Sequence, residues 1–122
     1  MSKLQSVINR LKIEKKNFAF DIKDNRRSLY TDIYFNSFKK YGFLKKYKNK
    51  KILVIINNSS NYLEVLISTL LSGNIFCPIP YFTSIQEIEK IYKYLKPSLI
   101  FINKKILSKK INNNKIININ KI

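Results

Sequence analysis

Histidine is absent from this sequence, and cysteine occurs once, at Cys77. The first absence excludes Ser-His-Asp and Cys-His catalysis, histidine metal ligation and a histidine-based pH switch. The second excludes an internal disulfide framework and any CxxC or Cys/His metal spacing. With no histidine to activate it, Cys77 reads as a small buried hydrophobe in an apolar strand rather than a nucleophile. Glycine is nearly as scarce. Gly42 and Gly73 are the only two, so no glycine-rich loop can assemble here to cradle phosphates. Acidic residues number 7. Glu87 and Glu89 stand two apart and diverge on a helix, which makes them a solvated face and not a catalytic carboxylate pair.

Long uninterrupted apolar runs are missing as well. Residues 1–17 carry recurring charges and no continuous apolar core, so no signal peptide is expected there. The most apolar stretch, Tyr62 to Phe82, is interrupted by Glu64, Ser68, Thr69, Ser72, Gly73, Asn74 and two prolines. A membrane span needs about 20 nearly uncharged apolar residues. The expectation is a cytoplasmic protein with no membrane span.

What the sequence does contain is enough for one domain: 122 residues, of which 45% are hydrophobic. The formal net charge is +17, a value that raises nucleic acid as a partner. Against it, Arg occurs only at Arg10, Arg26 and Arg27, and Arg is the side chain that clamps phosphates and reads bases. Lys, Asn and Ile together make up 57 of the 122 residues and Ala occurs once, at Ala19. Base-composition bias explains such a lysine excess without a ligand, so the charge reads as solubility and nonspecific adhesion. Nucleic acid is not the expected partner. Tyr30, Tyr34, Tyr41, Tyr47 and Tyr92 follow no single strand period and fit a core stripe better than a stacking platform.

Leu4, Val7, Ile8 and Leu11 recur at helical spacing and predict an amphipathic helix docked on the rest of the domain. Phe18 to Ile22 and Arg27 to Tyr30 read as short strands around a turn at Asp24-Asn25. Thr31 is the expected N-cap of a helix carrying Ile33, Tyr34, Phe35, Phe38 and Tyr41 and ending near Gly42. Ile52 to Ile56 is a continuous aliphatic run, the mark of a strand buried on both faces. Asn57-Asn58-Ser59-Ser60 follows and reads as the cap of a helix from Asn61 to Ser72, with Gly73 at its left-handed C′ position. The same tetrad lies where ligands bind in open α/β sheets. Asn74 to Ile79 predicts a second buried strand and Ser84 caps a helix containing Ile85, Ile88, Ile91, Tyr92 and Leu95. Pro97 stops that helix, and Ser98 to Ile102 is a third strand. Lys104 to Lys110 and Ile116 to Ile119 suggest one more helix and strand. Strand and helix thus alternate from residue 52 onward, which implies an α/β fold: an open, mainly parallel sheet flanked by helices.

From Phe18 to Ile119 the order of elements and several local motifs resemble the N-terminal subdomain of the adenylate-forming superfamily, which includes acyl-CoA synthetases, nonribosomal peptide synthetase adenylation domains and luciferases. Ser28-Leu29-Tyr30-Thr31-Asp32-Ile33 is similar to the family's helix start. Lys51 to Ser59 looks like its strand and asparagine-serine turn. Leu66 to Leu71 with Gly73-Asn74-Ile75-Phe76-Cys77-Pro78-Ile79 is similar to its helix ending in glycine and strand running into proline. Lys96-Pro97-Ser98-Leu99-Ile100-Phe101 is similar to its lysine-proline-x-leucine-valine segment. Asn74 and Cys77 stand where the family offers Ala and Val.

The resemblance implies two parts, an N-terminal amphipathic helix over 1–17 and a partial AMP-binding subdomain over 18–122 that stops before the phosphate-binding loop. It implies an ATP-dependent, AMP-forming ligase that activates a fatty, aromatic or amino acid as its acyl-adenylate for transfer to a thiol. ATP, Mg2+ and coenzyme A or a carrier-protein thiol are implied for the complete enzyme, with none bound by this chain. A separate chain carrying the remaining subdomains is an implied partner. No residue of this sequence is assigned a catalytic, cofactor-binding or metal-binding role, and the chain alone is expected to be inactive. Two alternatives stand beside this reading: a small basic α/β module binding nucleic acid or an acidic partner, and a non-catalytic subunit pairing with a catalytic chain.

Overall fold

The computed structural model describes residues 3–13, 18–21 and 26–121. In chain order the elements are α1 (Lys3–Ile13), β1 (Phe18–Asp21), β2 (Arg26–Leu29), α2 (Tyr30–Leu44), β3 (Lys51–Ile55), α3 (Ser60–Leu71), β4 (Ile75–Pro78), α4 (Ile85–Leu95), β5 (Leu99–Ile102) and β6 (Ile116–Asn118). Single 3₁₀ turns at Asn113–Lys115 and Ile119–Lys121 flank the last strand.

β1 and β2 form an antiparallel pair with Phe18 opposite Leu29. The other four strands make a wholly parallel sheet in the order β4-β3-β5-β6. β3 is central because its five residues are almost all aliphatic: Ile52, Leu53, Val54 and Ile55 have no measurable exposure. Successive side chains of a strand point to opposite faces, and the packing follows that alternation. Ile52, Val54 and Ile56 meet Leu44, Val65, Leu99 and Phe101 beneath α2 and α3. Leu53 and Ile55 meet Ile88, Ile100, Ile102 and Ile111 beneath α4. The fold is therefore the expected open α/β sandwich of helix, sheet and helix layers. A smaller cluster of Ile8, Ile33 and Ile67, with Tyr30 and Tyr34 against it, docks α1 on α2 and α3.

Several boundaries differ from the sequence reading. Thr31 does not cap α2. The helix begins at Tyr30, with Leu29 in the N-cap slot and no side-chain cap bond, because Tyr30 is drawn into packing with Ile33. Asp32 does fall in the first turn. Gly42 does not end α2, which runs on to Leu44. Leu44 is fully buried in the core, and that burial outweighs the roughly 1 kcal/mol cost of a helical glycine. β4 is an edge strand and only half-buried, with Ile75 46% exposed. Lys104 to Lys110 is not helical. Ile106 packs under α4 while its neighbour Leu107 is exposed, and the Ser108 hydroxyl donates to Glu89 Oε2 at 2.6 Å. These long-range contacts hold the segment out of a helix, in irregular structure ending in a turn at 109–110. The expected turn at Asp24-Asn25 lies outside the described residues.

Ser84 caps α4 as expected, its Oγ accepting from the Glu87 N–H at 3.2 Å. At the other end Lys96 takes a left-handed conformation, φ 52°, and Pro97 prevents further helix. Gly73 occupies the left-handed position after α3, φ 75°.

Candidate functional site

The two crossovers from the centre of the sheet run in opposite directions. β3 leads through α3 to β4 on one side, and β4 leads through α4 back across to β5 on the other. Ligands of open α/β sheets bind outside the carboxyl ends of the strands where the strand order reverses. In this chain that point lies beyond Ile55 and Ile102, where the loops after β3 and β5 diverge.

Asn57 and Asn103 meet there. Asn103 Nδ2 donates to Asn57 Oδ1 at 2.5 Å, and the Asn57 N–H donates to Asn103 Oδ1 at 3.4 Å. The pair closes the crevice between the two strand ends and fixes the direction of both loops. Beside it, between β3 and β4, opens a cleft of about 500 Å³ lined by Ile56, Asn57, Asn58, Tyr62, Pro78, Ile79, Pro80, Tyr81 and Phe82. Tyr62 is held edge-on against Phe76, ring centroids 5.6 Å apart. Phe82 is 89% exposed at the rim. No charged side chain lines this cleft, although the chain carries +17.

Lys104 ties the loop after β5 to the loop after β4. Its ammonium donates to the Tyr81 carbonyl oxygen and lies 4.7 Å from the centre of the Tyr81 ring. Burial pushes the Lys104 amine below its ordinary range, since desolvation disfavours the charged form. A second cavity of about 310 Å³ borders the same lysine, walled by Thr83, Ile85, Ile88 and Ile106.

The tetrad at 57–60, expected to cap α3, supplies its N-cap residue but no side-chain bond from that residue. Ser59 occupies the N-cap slot without a side-chain cap bond. Its hydroxyl turns back to the Asn57 carbonyl at 3.3 Å. Asn57 serves the Asn103 bridge instead, because that partner arrives on a neighbouring strand. Asn103, Lys104 and Tyr81 were not singled out from the sequence. Their partners lie 46 and 23 residues away, beyond the reach of local pattern.

The other candidates fall outside this site. Cys77 is half-buried on the edge strand, less covered than expected, with Sγ 3.8 Å from the Ile75 carbonyl oxygen. Glu87 sits at the surface, 3.6 Å from Lys90, while Glu89 accepts from Ser108. Of the tyrosines, Tyr30, Tyr34, Tyr47 and Tyr92 pack against the core clusters, and Tyr41 joins the ring ladder with Phe38 on α2.

The residues present do not fit ATP or Mg2+. Gly42 lies within α2 and Gly73 at the opposite end of the sheet, so the strand-end loops offer no glycine cradle for phosphate. Among the described residues no three His, Cys, Asp or Glu side chains gather to hold a metal ion. Nor, among them, is any helix long and apolar enough to cross a membrane.

No family model and no curated protein matches the chain. Solved structures do. VinN in complex with 3-methylaspartate is similar over 98% of this chain, with a TM-score of 0.80 and 11% identity. The N-terminal subdomain of Klebsiella oxytoca NpsA, bound to 3-hydroxybenzoyl-AMSN, is similar over 95%, with a TM-score of 0.72 and 9% identity. A putative long-chain-fatty-acid CoA ligase from Rhodopseudomonas palustris is similar over 81%, with a TM-score of 0.67 and 20% identity. This chain covers 35%, 30% and 26% of those three chains respectively, a third or so of their length. At these identities the likeness establishes architecture: the chain has the fold of the N-terminal subdomain of adenylate-forming enzymes.

Proposed function

We propose that the chain supplies the N-terminal subdomain of an AMP-forming ligase. Such an enzyme activates a carboxylic acid, whether fatty, aromatic or amino acid, as its acyl-adenylate and passes it to a thiol of coenzyme A or a carrier protein. The observation that carries the reading is the extent of the structural match, 98% of the chain at a TM-score of 0.80. The matched structures include one with 3-methylaspartate and one with an aryl-AMSN ligand, and this variety leaves the acid's class open across the reading.

Within the ligase this chain acts as scaffold. The uncharged cleft at the ends of β3 and β4 suits a wall of the acyl pocket better than a phosphate site, since it offers amides, rings and prolines and no cation. In this reading residues 1–17, described over Lys3–Ile13 as the docked helix α1, form the N-terminal part and 18–122 the subdomain proper. ATP and Mg2+ are held by parts of the enzyme that this sequence does not contain, and the chain alone has no activity.

The test begins with the DNA that follows the Ile122 codon. A Ser/Thr/Gly-rich loop ending in Lys, in frame or on a co-purifying chain, supports the reading. ATP–pyrophosphate exchange that depends on an added carboxylic acid then confirms it. Unrelated coding sequence and no chain bearing such a loop would refute it.

A further inference from the structure

Exposed lysines occur on several sides of the fold, Lys39, Lys90, Lys105, Lys109 and Lys110 among them, but they are densest in one place. The connector from α2 to β3 carries five lysines in seven residues, Lys45, Lys46, Lys48, Lys50 and Lys51 alternating with Tyr47 and Asn49, and all five are exposed. This connector runs along the amino end of the parallel sheet, opposite the cleft. It is anchored there by the Asn49 N–H donating to the Gly73 carbonyl at 2.9 Å and by Ser98 N–H donating to the Lys51 carbonyl at 2.9 Å. α4 ends at the same pole with two further exposed lysines, Lys93 and Lys96.

Three of the described acidic side chains lie away from this pole. Asp32 and Glu87 lie in the first turns of α2 and α4, and Glu64 is buried in α3. The starts of α2 and α4 lie toward the carboxyl end of the sheet, and Glu64 lies in the α2–α3 seam. Among the described residues the two ion pairs are Lys40–Glu64 and Lys90–Glu87, and neither includes a lysine of the pole. Helix C-termini favour cations, and that accounts for Lys48, whose ammonium donates to the Ser72 carbonyl at 2.9 Å. It leaves Lys45, Lys46, Lys50 and Lys51 facing water.

Rings accompany the charge. Tyr94, between Lys93 and Lys96, is 89% exposed, and Phe43, just before the connector, is 40% exposed. A cationic surface with exposed rings matches an unpaired nucleic-acid strand, which presents phosphates at regular spacing and bases free to stack. With no Arg in the connector or the last turn of α4 to read base edges, recognition there is independent of sequence.

We propose that the amino end of the sheet binds the phosphate backbone of single-stranded nucleic acid. The surface lies on the far side of the fold from the cleft, so the interaction is separate from any acyl-group binding.

The experiment is fluorescence anisotropy of labelled oligouridine with the full chain across a salt series. Two variants of equal charge are compared. In one, Lys45, Lys46, Lys50 and Lys51 are changed to Gln. In the other, the exposed Lys39, Lys105, Lys109 and Lys110 are. The first is expected to weaken binding about tenfold or more and to flatten the log–log salt slope by up to about 3. The second is expected to stay within about twofold. Tyr94→Ala should weaken binding without moving that slope, and circular dichroism confirms that each variant folds. Equal losses in both lysine variants would overturn the proposal, since affinity would then follow total charge and not place. So would an absence of binding by the unaltered chain near about 150 mM salt. Association with phosphatidylserine vesicles but not with oligouridine would overturn it too, and assign the pole to an anionic lipid surface.

Discussion

Lys40 Nζ lies 2.7 Å from Glu64 Oε1 with both side chains nearly sealed from solvent, 7% and 2% exposed. The pair spans the seam between α2 and α3, and Asn36 Nδ2 donates to the second carboxylate oxygen at 3.3 Å. A buried ion pair is held by mutual attraction against a large desolvation cost, so removing one partner strands the other charge. Lys40→Met is expected to lower unfolding stability by about 3–5 kcal/mol, measured by urea titration. Lys40→Met combined with Glu64→Leu should recover most of that loss. Equal destabilisation in the single and double variants would show that the pair is not the source.

The two glycines make opposite predictions from the same substitution. Gly73 has φ 75°, and an added Cβ would meet only Lys48 Cδ at 3.8 Å, so backbone strain alone opposes it. Gly73→Ala should cost about 1–2 kcal/mol. Gly42 lies within helix α2 and its added Cβ meets nothing within 4 Å. Gly42→Ala should stabilise by about 0.5–1 kcal/mol. Thermal melts of the two variants should move in opposite directions.

Asn74 stands where the resemblance led to alanine, and the structure supplies the reason. Its Nδ2 contacts the Leu44 carbonyl at 3.3 Å, the Tyr47 carbonyl at 3.0 Å and Ser72 Oγ at 2.9 Å, while its Oδ1 accepts from the Lys50 N–H at 3.1 Å. One buried amide thereby fastens the basic connector to the start of β4. Asn74→Ala removes these partners together and should cost about 2–3 kcal/mol. Faster amide exchange confined to residues 45–50 would accompany the loss, whereas unchanged exchange there would remove the anchoring role.

What the sequence disclosed and what it hid divide along the range of the interaction. The unbroken aliphatic run of β3 announced a strand buried on both faces, and Ser84 announced its helix because cap and helix are neighbours. Ile75, Phe76 and Cys77 are as apolar as a central strand. Their place at the edge follows from the direction of the crossovers, which no local pattern records. The tetrad at Asn57 was legible as important, yet the bridge from Asn57 was hidden because Asn103 lies 46 residues on. Lysines were countable from the sequence, but which of them meet at the amino end of the sheet required the fold.

Lys104 gives the protein a stability that changes with pH in a direction the geometry fixes. Burial holds the folded amine below 10.5. The unfolded chain therefore keeps this proton to a higher pH than the native one. Below the folded value both states carry the proton, and the charged amine destabilises the native state by a constant amount. Between that value and 10.5 the unfolded state binds more protons, so stability rises with pH. Lys104→Met keeps an apolar stem and removes this titration, and any background common to both proteins cancels in the difference. The urea midpoint of the unaltered chain, relative to Lys104→Met, should climb as pH approaches 10.5. A difference that stays flat over this range would show that burial does not lower the amine's proton affinity in the folded chain.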